Sequence, residues 1–143
     1  MNRLILLMSV SQLLLSDIVA QTSQQDARLG GKVYLSYRNP ATSATGKKYI
    51  SNFKVILIKK TSSTVVSRIT ANKKNFCSNN RSLFQQYGAK VAYTNADGYF
   101  EFRGLLKQTN YILIFCDREI KISEVSTGNR NTTYGIGEKL IKL

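Results

Sequence analysis

From Gly31 onward, apolar side chains recur mainly at every second position, the period of a strand with one covered face. Gly31 to Tyr37 places Val33, Leu35 and Tyr37 on one side. In Phe53 to Lys60, Phe53, Val55 and Leu57 share one face while Ile56 and Ile58 share the other, as expected of a central strand covered on both sides. Thr64 to Ile69 (TVVSRI) is rich in β-branched residues and follows a short Thr-Ser turn, so it predicts the second strand of a hairpin. Ala71 to Gly88 is polar and irregular apart from Phe76, Leu83 and Phe84. It predicts a long insertion pinned by those side chains, with one helical turn at Ser82 to Tyr87.

The stretch from Tyr93 to Leu105, YTNADGYFEFRGL, carries two further strands around NADG. Alternation points Val91 and Tyr93 inward on the first, and Phe100 and Phe102 inward on the second. Asn95 and Asp97 initiate tight turns through side-chain to backbone bonds, and Gly98 supplies the positive φ that closes a short hairpin. A calcium loop would use Asn95 and Asp97 as oxygen donors, but the remaining ligands and the distal Glu are missing. Tyr111 to Cys116 (YILIFC) is apolar on both faces, Arg118 to Val125 alternates with Ile120 and Ile122 inward, and Thr133 to Leu143 is a last candidate strand. Short strands at regular spacing predict an all-β protein, a seven- to eight-stranded antiparallel β-sandwich of Greek-key type.

Composition changes the picture at the N-terminus. Arg3, an apolar run from Leu4 to Leu15 and a small residue at Ala20 have the layout of an export signal over residues 1–20, too short and too polar to span a bilayer. A polar lead over residues 21–28 and one domain over residues 29–143 would follow. Export alters the reading of the two cysteines, because thiols oxidise outside the cytoplasm. Cys77 and Cys116 are expected to pair, closing a loop that in the chain-entropy model stabilises the fold by about 4 kcal/mol. The alternative is two buried, unpaired thiols.

Charge adds a second possibility. With 21 Lys and Arg against 8 Asp and Glu, the net charge is +13, a field that attracts anionic polymers without specificity. Solubility alone also accounts for such a surface. Of the eight tyrosines, alternation directs Tyr34 and Tyr99 outward, where they could form a sugar-stacking platform. Asn80-Arg81-Ser82 and Asn131-Thr132-Thr133 match the N-glycosylation acceptor pattern, which matters only in a eukaryote.

The order of elements resembles a known family. The strand Lys54 to Ile58, a variable insertion, the motif T-x-x-D-G-x-F-x-F-x-x-L at Thr94, Asp97, Gly98, Phe100, Phe102 and Leu105, and then a tyrosine-led apolar strand from Tyr111 look like the carboxypeptidase regulatory-like domains. That resemblance covers roughly Gly31 to Val125 and implies a transthyretin-like sandwich. It also implies a non-catalytic accessory, structural or adhesion module. The family's usual Gly before the tyrosine strand is replaced here by Gln108-Thr109-Asn110.

Catalytic relatives of that topology depend on His, and this chain has none in 143 residues. His-based nucleophile activation and zinc sites with His ligands are therefore excluded. No cofactor is called for. The expectation is an exported, non-enzymatic protein that binds a cell-surface or extracellular partner in trans, without sequence-specific nucleic-acid recognition and without integral membrane anchorage after cleavage. The insertion is its first candidate contact region, through Lys73, Lys74, Phe76 and Arg81. A cationic protein coating envelope polymers, lipid or nucleic acid is the alternative, and a secreted enzyme inhibitor a third.

Overall fold

The strand predicted to be covered on both sides has a different kind of cover on each. In the computed structural model, which describes residues 27–127 and 132–140, this strand is β3 (Lys54–Lys59). Val55 and Leu57, with Phe53, face an interior that holds Phe100, Phe102, Leu105, Tyr111, Leu113 and Phe115. Ile56 and Ile58 face the other way, with Ile112 and Ile114, and are covered by Ile69 and Phe76.

The remaining elements are β1 (Ala27–Arg38), β2 (Thr45–Tyr49), helices α1 (Ser63–Cys77) and α2 (Arg81–Tyr87), β4 (Lys90–Tyr93), β5 (Tyr99–Leu105), β6 (Asn110–Phe115), β7 (Lys121–Ser126) and β8 (Thr132–Leu140). One sheet has the order β4-β3-β6-β7, antiparallel throughout. The other is built on β1. β5 pairs antiparallel with Ala27 to Lys32, β2 pairs antiparallel with Tyr34 to Arg38, and β8 runs parallel beside Gly31 to Arg38. The expected all-β sandwich is present, with α1 and α2 as a third layer on the β3 sheet.

Because β5 and β8 both pair with Gly31 and Lys32, they occupy opposite edges of β1. β2 and β5 thus lie end to end along one edge. Val33 is the handover: its N–H donates to the Gly98 carbonyl at 2.9 Å, and its carbonyl accepts from the Ile50 N–H at 3.1 Å.

Three expectations need correction. Thr64 to Ile69 is helical. Val65, Val66, Ile69, Phe76 and Cys77 form one stripe at helical spacing, and its burial on Ile56, Ile58, Ile112 and Ile114 outweighs the strand preference of the four β-branched residues Thr64, Val65, Val66 and Ile69. The insertion is therefore ordered from Ser63, not irregular from Ala71. The helical turn expected at its end is α2, capped by the Asn80 side chain, which accepts from the Leu83 N–H at 3.2 Å. At its other end Gly88 adopts φ 57°, a left-handed C-cap.

Second, β4 presents the opposite face. Val55 pairs with Ala92 and Leu57 with Lys90, so Ala92 packs inward, while Val91 and Tyr93 are 39% and 56% exposed. Third, NADG joins strands of different sheets, since β4 pairs with β3 and β5 with β1. It is an arch over the end of the sandwich, not a hairpin. Thr94 fixes its entry: Oγ1 accepts from the Phe53 N–H at 2.9 Å and donates to the Ile50 carbonyl at 2.5 Å, although Thr94 is only 5% exposed. At the far end, the Tyr111 hydroxyl accepts from the Leu106 N–H at 3.2 Å and ties β6 to the loop before it.

The helical layer is joined to the sheet covalently. Cys77 at the end of α1 is bonded to Cys116 just after β6, with Cα atoms 5.5 Å apart. The Lys54 ammonium reinforces the joint, donating to the Cys77 carbonyl at 3.0 Å and to Asn79 Oδ1. Among the described residues no helix is long and apolar enough to cross a membrane.

Candidate functional site: a tyrosine-lysine face on the β1 sheet

Val33 points into the core, so alternation along β1 sends Lys32, Tyr34 and Ser36 to the outer face. The helices cover the β3 sheet, which leaves this face outside the helical layer. Register then decides its composition. Tyr34 stands opposite Tyr49, Lys32 opposite Tyr99, and Ser36 opposite Lys47. The Tyr34 and Tyr49 rings meet edge to face with centroids 6.3 Å apart. The Lys47 ammonium lies 4.5 Å from the Tyr34 centroid, and that of Lys32 lies 5.2 Å from the Tyr49 centroid. Each lysine thus caps the ring of a residue on the neighbouring strand.

Gly30 makes room for the third ring: a Cβ there would come within 2.9 Å of the Tyr99 hydroxyl oxygen. Tyr49 is 40% exposed, and Tyr34 and Tyr99 are half-buried. On the flank, the Arg103 Nε donates to Glu101 Oε2 at 2.7 Å. The result is aromatic surface interleaved with ammonium groups. Such a face can take the apolar side of a sugar ring on tyrosine while lysines hold an anionic substituent.

The structure joins Tyr34 and Tyr99 of the sequence-derived platform in one face and adds Tyr49, Lys32 and Lys47. β2 was not foreseen because TGKKY is an exposed edge strand with no apolar alternation. Its pairing with Tyr34 and Ser36 is a tertiary fact.

The contact region expected in the insertion is not supported in the same way. Phe76 is fully buried beneath α1, with its ring 5.6 Å from Tyr87 and 6.1 Å from Phe84, so it anchors the helix and is not available to a partner. Lys73 is half-buried, and Lys74 and Arg81 are exposed on the helical layer, across the sandwich from the tyrosines. Asn95 does not present a free ligand atom either, because its Oδ1 accepts from the Asp97 and Tyr99 N–H groups at 3.0 and 2.9 Å. Among the described residues no cluster of three or more His, Cys, Asp or Glu side chains could hold a metal ion. Asn80 serves as the α2 cap; Asn131 and residues 1–20 lie outside the described residues, as do the ends of the candidate strand beyond residue 140.

One lysine has a displaced pKa. Partial burial of Lys54 disfavours its ammonium form and lowers its pKa below the ordinary 10.5. Its bonds to the Cys77 carbonyl and Asn79 give it a structural task in the helical joint.

No protein-family model matches the chain, and no curated protein does. Among solved structures it is similar to a proposed carbohydrate binding protein from Pseudomonas aeruginosa, at 15% sequence identity and a TM-score of 0.41, over 80% of this chain and 90% of that one. A likeness of that size carries no argument about the ligand of this chain.

Proposed function

We propose that the protein is an exported, non-catalytic β-sandwich module that binds an acidic cell-surface polysaccharide through the outer face of the β1 sheet. The observation that carries this reading is the cross-strand pairing of Tyr34 with Tyr49, each ring capped by a lysine ammonium. The Cys77–Cys116 disulfide supports maturation in an oxidising compartment, and the signal-like layout of residues 1–20 supports export. The resemblance to carboxypeptidase regulatory-like domains supports a role without catalysis, with the partner supplied in trans.

Binding of the purified protein to a polyuronate, with neutral dextran as control, tests the proposal across a salt series. Lys32→Gln with Lys47→Gln should weaken binding and flatten its salt dependence, because fewer counterions are released. Tyr34→Ala with Tyr49→Ala should weaken binding and leave the salt slope unchanged. Equal affinity for dextran, or full binding by both double variants, would overturn it.

A protein partner is the second reading. Val91 and Tyr93 favour it: both are exposed on β4, which ends its sheet, and an edge strand can accept another strand. A Tyr93→Lys variant that loses a cell-surface protein partner while keeping polyuronate binding would establish that reading as a separate activity.

A further inference from the structure

At the end of the sandwich away from the NADG arch, two lysines occupy inward-pointing strand positions. Along β3 the inward set is Val55, Leu57 and then Lys59; across from Leu57 the inward residue of β4 is Lys90. Lys59 is paired with Tyr111 on β6, so Lys90, Leu57, Lys59 and Tyr111 share one face. Alternation would place apolar side chains at Lys59 and Lys90 if the two sheets stayed closed there. Instead the sheets part, and an open cleft of about 320 Å³ lies between them.

Leu57, Leu105 and Leu106 supply its apolar lining, and Lys59, Lys90, Tyr87 and Tyr111 carry its polar side-chain groups; no acidic residue among those described lines it. At its rim a Cβ on Gly88 would meet nothing within 4 Å, so the mouth is unobstructed there. Neighbouring Lys60 is neutralised by Glu124, whereas Lys59 and Lys90 have no ion-pair partner among the described residues. The Tyr111 hydroxyl accepts from Leu106, and its own proton has no acceptor among the described residues.

We infer that this cleft binds a small amphiphilic carboxylate, its head between Lys59 and Lys90 and its apolar body against Leu57, Leu105 and Leu106. Its volume is near the lower end for small-molecule sites, which suits a short acyl chain or one aromatic ring. Two ammonium groups with no ion-pair partner among the described residues, set above an apolar floor, complement an anionic head on an apolar body, and a cation would meet repulsion. The inference is independent of the polysaccharide reading, since no residue is common to both sites.

Octanoate, octanol and octylamine are suitable probes, titrated into the purified protein and followed by calorimetry and leucine-methyl NMR. Octanoate should bind saturably at one site and shift the methyl signals of Leu57, Leu105 and Leu106. Octanol should bind about tenfold more weakly or worse, because the charge-assisted bonds are lost. Octylamine should not bind. Lys59→Gln with Lys90→Gln should reduce octanoate affinity to that of octanol without changing the melting temperature, because both side chains are exposed. Lys32→Gln with Lys47→Gln should leave octanoate binding intact whatever it does to polyuronate. Absence of saturable octanoate binding, equal binding of octanoate and octanol, or undiminished octanoate binding by the Lys59/Lys90 variant would overturn the inference.

Discussion

Val33 and Gly98 are locked together through their main chains: the Val33 N–H donates to the Gly98 carbonyl at 2.9 Å, and a Cβ on Gly98 would stand only 2.9 Å from the Val33 carbonyl oxygen. The same hypothetical Cβ would lie 3.1 Å from the Ile50 nitrogen. Gly98 also holds φ +74°, so two physical reasons exclude a side chain. One is the left-handed backbone. The other is the place where β2 ends, β5 begins and both press on β1.

Gly98→Ala should therefore cost more than the 1–2 kcal/mol of a left-handed L-residue alone, reaching about 3 kcal/mol with the backbone contact included. Urea unfolding measures it. A loss below about 1 kcal/mol would show that the arch relaxes without resistance.

Thr94→Val should destabilise by about 1–3 kcal/mol, because it keeps the shape but strands the Phe53 N–H and the Ile50 carbonyl in a buried setting. Thr94→Ser keeps the hydroxyl and should cost clearly less. The contrast between the two variants separates the hydrogen bonds from packing.

Phe76→Ala should cost about 3–5 kcal/mol as a core truncation, while Lys73→Ala and Lys74→Ala stay within about 0.5 kcal/mol. Thermal melting of the three variants checks this. A neutral Phe76→Ala would return the residue to the list of surface contacts.

Reduction of the disulfide, or Cys77→Ser with Cys116→Ser, should lower stability by about 2–5 kcal/mol. Loss should appear first in the helical layer, because the core between the sheets is formed by other residues. Hydrogen exchange in α1 and α2 should accelerate more than in β5 and β6.

The lowered pKa of Lys54 has a definite sign. Its folded pKa lies below the unfolded 10.5, so between those values the unfolded chain binds the extra proton and stability rises with pH across that window. Below the folded pKa the full cost of burying the ammonium is present. Lys54→Met should remove this rise, which the difference between the two stability-pH curves measures; parallel curves would refute it.

Where local pattern and final environment coincide, the structure was legible in advance. β3 and β6 were readable because apolar residues on both faces require cover on both faces, and Phe100 and Phe102 because their alternation meets the interior. TVVSRI was misread because the six residues were taken alone; Ile69 and Phe76, seven positions apart, reveal the helical stripe only over the full length of α1. Alternation points Val91 and Tyr93 inward, but alternation fits either face of β4, and the register that pairs Val55 with Ala92 turns both outward.

Alternating apolar residues, a turn-forming Asn-Ala-Asp-Gly and two cysteines were enough to specify strands, a tight bend and a disulfide, because those depend on nearby backbone preferences and on a pairing with few alternatives; that the bend is an arch between sheets and not a hairpin was decided by the pairing of β4 with β3 and of β5 with β1. Which sheet each strand joined, what covered Ile56 and Ile58, and which lysines met which tyrosines depended on contacts between distant segments. Tyr34 meets Tyr49, and Lys59 opens onto a cleft, only because register and sheet separation place them there; no local preference encodes either.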